Sequence, residues 1–364
     1  MPTDRRTRIV KFAIFTWLVL CVSCPPGMVF SQEDNLWTMQ QSTVTSSLRG
    51  LSVVDDRVVW ASGTAGTVLR TVDGGATWGK LSIDAAALDF RAIHAMDEST
   101  CVVLSAGSPA RVYRTEDSGQ TWKLVFEHGN ERAFFNAVAF KGDWGIGFSD
   151  PINGRFELIQ TSDGGKSWSE LPARYKPSCL DGEAGFAASG TCMRLFGERL
   201  WIGLGGQHEI GYARIIHTSL HDLTDWKEIR TPLTSGESSG VFSLAFADEK
   251  NMVAVGGDYK LPDQSSKNVV YSEDGGLTWQ MVQDSPPSGY RSAVAFCSSP
   301  DREAIAVCVG PNGTDASFDF GKTWRRISDV GFHAIDFSHS GNAGWAVGSD
   351  GRIAKIKVDR LTSK

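Results

Sequence analysis

The chain has 364 residues and a formal net charge of −6, which argues against a general nucleic-acid binder held by phosphate neutralisation. Hydrophobic residues make up 41% of it, ample for a large core. The 39 Gly and 12 Trp favour many short strands and tight turns.

Residues 1–31 read as a signal peptide. Arg5, Arg6, Arg8 and Lys11 form a basic region, and Phe12 to Val22 an apolar run too short for a comfortable membrane span. Val29-Phe30-Ser31 suits cleavage before Gln32; lipoprotein processing at Cys24 is the rival reading. Losing residues 1–31 removes four basic residues and Asp4, leaving 32 basic and 41 acidic, a net of −9. The expected location is periplasmic or extracellular, with or without a lipid anchor. No transmembrane helix is expected in the mature chain, residues 32–364, which read as one domain. Five cysteines remain, an odd number. Cys179 and Cys192 are the candidate disulfide pair, left open, while Cys101, Cys297 and Cys308 sit in apolar alternation.

After an isolated Leu36-Trp37-Thr38, an eight-residue phrase begins to recur. It runs Thr71-Val72-Asp73-Gly74-Gly75-Ala76-Thr77-Trp78, and starts again at Thr115, Thr161, Ser272 and Ser317. A worn copy starts at Ser219, with His221 in place of the Asp and Leu223 in place of a Gly. The spacings are 44, 46, 58, 53 and 45 residues, which signals a repeat architecture. The chemistry is that of a turn. Asp73, Asp117, Asp163, Asp274 and Asp319 accept from N–H groups just ahead of them, Gly supplies positive φ, and Trp buries a ring as the next strand starts. A carboxylate so occupied has little left for catalysis or calcium.

The phrase resembles the Asp-box, or bacterial neuraminidase repeat, found in sialidases, xyloglucanases, sortilin and the photosystem II stability/assembly factor family. The resemblance implies that it joins the third and fourth strands of a propeller blade. It says little about activity. For the first unit the strands read Leu48–Val54, Arg57–Ser62, Thr67–Thr71 and Thr77–Leu81. Six boxes close six blades. Phe332 to Phe337, Gly344 to Gly348 and Arg352 to Lys357 then lack a fourth strand, which the strand at Trp37 is expected to supply. The fold is therefore read as an all-β, seven-bladed β-propeller whose ring leaves no open edge.

Boxes belong to one face, and entries to the first strands belong to the other. The entries read Leu48-Arg49, Phe90-Arg91, Phe135-Asn136, Phe186-Ala187, Phe242-Ser243, Tyr290-Arg291 and Phe332-His333. The second residue of each pair is expected to face the central channel. Arg291, His333, Arg49 and Arg91 then fall in consecutive blades as a basic arc. Each Arg either pairs with an acidic neighbour at the rim or offers its guanidinium to an anion. If His333 is protonated, anion affinity should rise as pH falls through about 6.5. Loops on this face add Asp150, Arg155, Asp258, Tyr259 and Lys260, with Tyr290 beside the arc, and these complete the candidate binding set.

No metal or nucleotide motif is present, so no cofactor or metal is expected. Glycoside hydrolysis needs two facing carboxylates, for which Asp150, Asp181, Glu183, Glu209 and Asp258 are candidates. A sialidase would be six-bladed with an Arg-Ile-Pro phrase, which is absent, and xyloglucanases of this type use two propellers. An oxidoreductase has no cofactor motif to rest on.

Size, a single propeller, the leader and the repeat most resemble the photosystem II stability/assembly factor family, over most of residues 33–358. The resemblance implies a non-catalytic lumenal or periplasmic propeller that binds a membrane-protein subunit. It also implies an Arg-rich patch, matched here to Arg49, Arg91 and Arg291. The expected partner is a protein, such as a membrane-protein segment bearing carboxylates, and not nucleic acid.

Overall fold

In each box a short loop of polar residues satisfies its own backbone. In blade 3, Thr161 Oγ1 accepts from the buried Gly165 N–H at 3.0 Å and donates to Asp163 Oδ1 at 2.7 Å. Asp163 also accepts from the Ser167 N–H at 3.0 Å and the Ser167 hydroxyl at 2.6 Å. The same bonds recur around Thr71/Asp73, Thr115/Asp117, Ser272/Asp274 and Ser317/Asp319. They hold the Asp117 carboxyl down at about 2, chiefly through the Thr121 hydroxyl. Gly165 takes φ +81°, where a side chain would be strained and would also meet Val102 of the preceding blade.

These turns organise a ring, seen in a computed structural model that describes Met1 and residues 36–84, 87–299 and 302–362. Apart from Met1, the described residues fall in one unit, Asp34–Lys364. The signal-peptide reading, with Cys24, lies outside the described residues. Among those residues, seven antiparallel sheets succeed one another along the chain, the fifth also taking in the short strands Glu183–Ala184 and Gly205–Gly206 from the blade 4 stretch. The first is Leu48–Val53, Val59–Gly63, Val68–Thr71 and Gly79–Leu81, close to the strands read from sequence. Box and first turn share a face, since Gly74, Gly164 and Gly275 donate to carbonyls of Arg57, Asp143 and Lys250 in the turns between strands one and two.

There is no single core. Seven apolar wedges lie between neighbouring blades. Each box Trp packs into the wedge shared with the blade before it. Trp78 shares one with Leu48 and Trp345, and Trp324 another with Val253 and Val294. The wedge between blades 6 and 7 takes Trp37, which is 4% exposed. Its strand, Trp37–Gln40, pairs antiparallel with Ile353–Ile356 in the register Trp37↔Ile356. The seventh blade is thus completed from the N-terminal side, as expected.

Blade 4 departs from the rest. Its worn box has lost the Asp turn, and Ser219 pairs with Asp222 across a tight hairpin. The outer strand then runs Asp222–Thr234, far longer than the others. Cys179 and Cys192, the candidate disulfide pair, are both free thiols and are not bonded to each other. No helix among the described residues is long and apolar enough to cross a membrane.

Closure of the ring and closure of the box can each be tested. Deleting residues 32–41 should lower the melting temperature sharply, and Trp37→Ala alone should cost about 3–5 kcal/mol in chemical denaturation. A truncated chain that melts like the full one would contradict closure by this strand. Thr161→Val, which strands the buried Gly165 N–H, should cost roughly 1–3 kcal/mol. Ser167→Ala, which removes an exposed hydroxyl of the same loop, should cost less. The reverse order would place the main support of the turn on Asp163 and Ser167.

Candidate functional site

Backbone register decides which side chains reach the channel. The first strand of a blade carries one extra residue near its entry. The register shifts between Leu48 and Gly50, Phe90 and Ala92, Phe135 and Ala137, and Val241 and Ser243. The bulged residues are Arg49, Arg91, Asn136 and Phe242. The residue before the bulge reaches back to the preceding blade: the N–H groups of Leu48, Val241, Arg291 and Phe332 donate to the carbonyls of Gly348, Leu204, Gly256 and Gly310. His333 follows Phe332 as Arg49 follows Leu48. In blade 6 the equivalent residue is Ser292.

This corrects the sequence reading in two blades. The entries there are Val241-Phe242 and Arg291-Ser292, one residue earlier in blade 5 and one later in blade 6. A one-residue slip sends a side chain to the opposite side. Arg291 accordingly leaves the arc. It is fully buried, with Nε on Asp315 at 2.8 Å and Nη1 on the Tyr290 carbonyl and Asn312 Oδ1, both at 2.8 Å. It is a structural ion pair. The basic arc that remains is His333, Arg49 and Arg91, from blades 7, 1 and 2.

Blade 4 needs a second correction. Phe186-Ala187 is not a strand entry, because the first strand is Met193–Phe196. The residues before it form a strap across the channel. Gly185 is tied by its N–H to Asp150 at 2.9 Å, Ala188 by its carbonyl to Arg49 Nη1 at 3.4 Å, and Ser189 by its hydroxyl to the Ser292 carbonyl at 2.9 Å. Thr191 then bonds Ser243 at 2.6 Å.

Above the strap, on the face away from the boxes, lies a cavity of about 500 Å³. Arg49, Arg91 and His333 form one wall, and Phe186, Phe242, Tyr259 and Tyr290 the other. Phe186 stacks on Phe242 with centroids 4.0 Å apart, and Tyr290 meets Phe242 edge-on at 4.8 Å. Tyr259 is 47% exposed at the rim. Asp150 also lines the cavity.

The charges there are unevenly satisfied. Arg91 Nε pairs with Asp89 at 2.7 Å. Arg49 forms no ion pair with any described residue; its bond is to the Ala188 carbonyl. Burial, then the like charge of Arg91, lowers its pKa from the ordinary value. Burial raises the Asp150 pKa even though it accepts from Asn136 Nδ2 at 2.8 Å. His333 is held neutral, its pKa depressed to about 3 by burial first and then by Arg49, Arg352 and Arg91. Its Nε2 lies 3.0 Å from Ser349 Oγ. The expected rise of anion affinity through protonated His333 therefore has no basis in the free protein.

The remaining candidates lie elsewhere. Asn136 is buried beneath the cavity, holding Asp150. Arg155 is exposed and donates to the Lys176 carbonyl at 2.8 Å. Asp258 caps its own loop through the Lys260 N–H, and Lys260 pairs with Glu237 at 3.1 Å. Of the five carboxylates considered for glycoside hydrolysis, Asp150 alone lines the cavity. Glu183 is buried against Arg214, while Asp181 and Glu209 are exposed outside it. A facing pair is not assembled there. Sequence reasoning missed Phe242 and the strap. The one available signal was the 58-residue spacing through blade 4.

His128, Glu157 and Glu170 bring metal-ligand atoms together among the described residues. Lys176 already supplies the positive charge, bonding Glu157 and standing 3.6 Å from Glu170. His128 Nδ1 accepts from the Asn130 N–H at 3.1 Å, which leaves the proton of the neutral ring on Nε2. The cluster reads as an ionic tie, buried at His128, Lys176 and Glu157 and open to solvent at Glu170.

The resemblance carried by the boxes is borne out. Residues 29–129 match the family model described as Photosynthesis system II assembly factor YCF48. No curated protein matches the chain. Among solved structures, YCF48 bound to D1 peptide aligns with TM-score 0.62 and 17% identity, over 89% of this chain and 97% of that one. YCF48 from Cyanidioschyzon merolae aligns with TM-score 0.63 and 18% identity, over 89% and 99%. The GH74 xyloglucanase from Xanthomonas campestris aligns with TM-score 0.58 and 15% identity, over 90% of this chain but 55% of that one. At these identities the likeness is one of fold.

His333 gives a pH prediction. With its pKa below the unfolded value of about 6.5, the native state binds fewer protons than the unfolded state between about pH 3 and 6.5. Stability must then fall as pH drops through that window. His333→Gln should remove on the order of 1–2 kcal/mol of the loss between pH 7 and 5 in denaturant titrations. An unchanged pH slope in the variant would refute a neutral, buried His333.

Proposed function

We propose that this propeller is a non-catalytic binding protein of the assembly-factor type, exported from the cytoplasm. It holds a protein segment carrying a carboxylate at the cavity opposite the boxes. The observation that carries the reading is Arg49: a half-buried guanidinium with no carboxylate partner among the described residues, facing a wall of aromatic rings. Arg91 stands next to it with only its Nε engaged by Asp89. Two guanidinium groups side by side suit bidentate capture of a carboxylate. Phe186, Phe242 and Tyr259 give apolar contact area for the residues attached to it.

The fold resemblance supports a peptide as the ligand, since one YCF48 structure is described as bound to a D1 peptide. The basic and apolar leader within residues 1–31 supports export, which would bring the cavity to partners in or on a membrane.

The test is crosslinking pull-down from the membrane fraction with wild type and with Arg49→Ala/Arg91→Ala, followed by affinity measurement on the recovered segment. Arg49→Ala should weaken binding by about 1.5–3 kcal/mol. Binding should also weaken with added salt, because the mouth is open and screened. Salt-independent binding that survives both substitutions would sink the reading.

A further inference from the structure

The strap divides the channel, and a second recess of about 230 Å³ lies on its box side, bounded by Ser189, Gly190 and Thr191. Its walls come from the first strands. Three residues beyond each bulge stands one channel-facing side chain: Ser52, His94 and Ala139 in blades 1 to 3, and Asp336 in blade 7. Arg194, three residues beyond Thr191, is the equivalent in blade 4. In blades 3, 5 and 6 the position holds alanine, as Ala139, Ala245 and Ala295. The three ionisable side chains are therefore confined to one shared space.

Those three groups are incompletely used. Arg194 makes no hydrogen bond or ion pair with any described residue. His94 is stacked on Phe140 at 4.8 Å, and its ring nitrogens have no hydrogen-bond partner among the described residues. Asp336 accepts one backbone N–H on each oxygen, from Phe337 at 3.0 Å and Val53 at 3.4 Å, and pairs with no cation among the described residues. Arg194 and Asp336 thus line one recess with opposite charges, beyond ion-pairing distance of each other. Burial raises the Asp336 pKa and the charge of Arg194, acting across the recess, opposes that rise, so an ammonium beside the carboxylate would supply the close counter-charge it lacks.

We propose that this recess binds a small zwitterion of the α-amino-acid class, its carboxylate on Arg194 and its ammonium on Asp336. A lone anion would meet Asp336, and a lone cation would meet Arg194, so each half of the ligand is needed to offset the other's repulsion. His94 stays neutral, its pKa pressed to about 4 by burial and by Arg194. It therefore offers hydrogen bonds without adding charge. The volume holds several waters, at about 30 Å³ each, and accommodates a short-chain amino acid in their place. The site is independent of the cavity proposed for a protein partner.

The measurement is titration calorimetry on the full chain with glycine, alanine and serine at millimolar concentration. Acetate, methylammonium, the N-acetyl amino acids and the amino-acid amides serve as controls. At least one free amino acid should bind, acetate and methylammonium should not, and the blocked derivatives should bind at least tenfold more weakly. Arg194→Gln and Asp336→Asn should each lose at least tenfold with an unchanged melting temperature. If Asp336→Asn fails to fold, the derivative series on wild type decides alone. No heat from any free amino acid, equal binding of acetate, or undiminished binding in folded variants of both residues overturns the proposal.

Discussion

A hydroxyl held against a buried glycine N–H is the bond on which this structure turns. In each intact box the Thr or Ser satisfies a donor that faces the preceding blade, where water cannot reach it. That allows the loop to close tightly enough for the following Trp to enter the interblade wedge. Seven wedges, rather than one core, then hold the ring together. Blade 4 shows what happens without the bond. With His221 at the Asp position, the turn reverts to a plain hairpin and the outer strand extends to Thr234.

The architecture was legible because its signals are local. Asp, Gly and Trp at fixed offsets reveal a turn, and the unpaired strand at Trp37 reveals how the ring closes. The channel lining was only partly legible, because it depends on a bulge. Arg49, Arg91 and His333 do line the cavity, since an aromatic or aliphatic residue precedes each one at the interblade position. In blade 6 that position is taken by Arg291 itself, paired with Asp315 on the third strand of the same blade. An Arg neutralised by a distant Asp looks, in sequence, like an Arg waiting for a ligand. Blade 5 reverses the ambiguity: Phe242 occupies the bulge, and the aromatic pattern around it points one residue too far. The strap was hidden because its anchors, Arg49, Asp150 and Ser292, are far from it in sequence.

The electrostatics of the channel follow from the strap. It fills the middle of the channel with backbone, so Arg49, crowded by the like charge of Arg91, leans on the Ala188 carbonyl. On the other side of the strap, Arg194 and Asp336 share a smaller space. Burial dominates both regions. It keeps His333 and His94 neutral through the physiological range, leaving arginines as the positive groups that matter at neutral pH. A net acidic protein thus presents positive charge at the mouth where aromatic rings also converge.

The pairing of Trp37–Gln40 with Ile353–Ile356 also sets an order in time. The strand at Trp37 is made long before Ile353–Ile356 and must wait for it. Until then Trp37 has no wedge to enter, and the third strand of the last blade is not yet made. Blades 1 to 6 can form in turn as the chain appears, since each is built from strands close in sequence, blade 5 also taking in the short strands Glu183–Ala184 and Gly205–Gly206 made just before it. The circle closes only once Ile353–Ile356 has been made, and a chain that stops before Ile353 is an open arc with an unpaired edge.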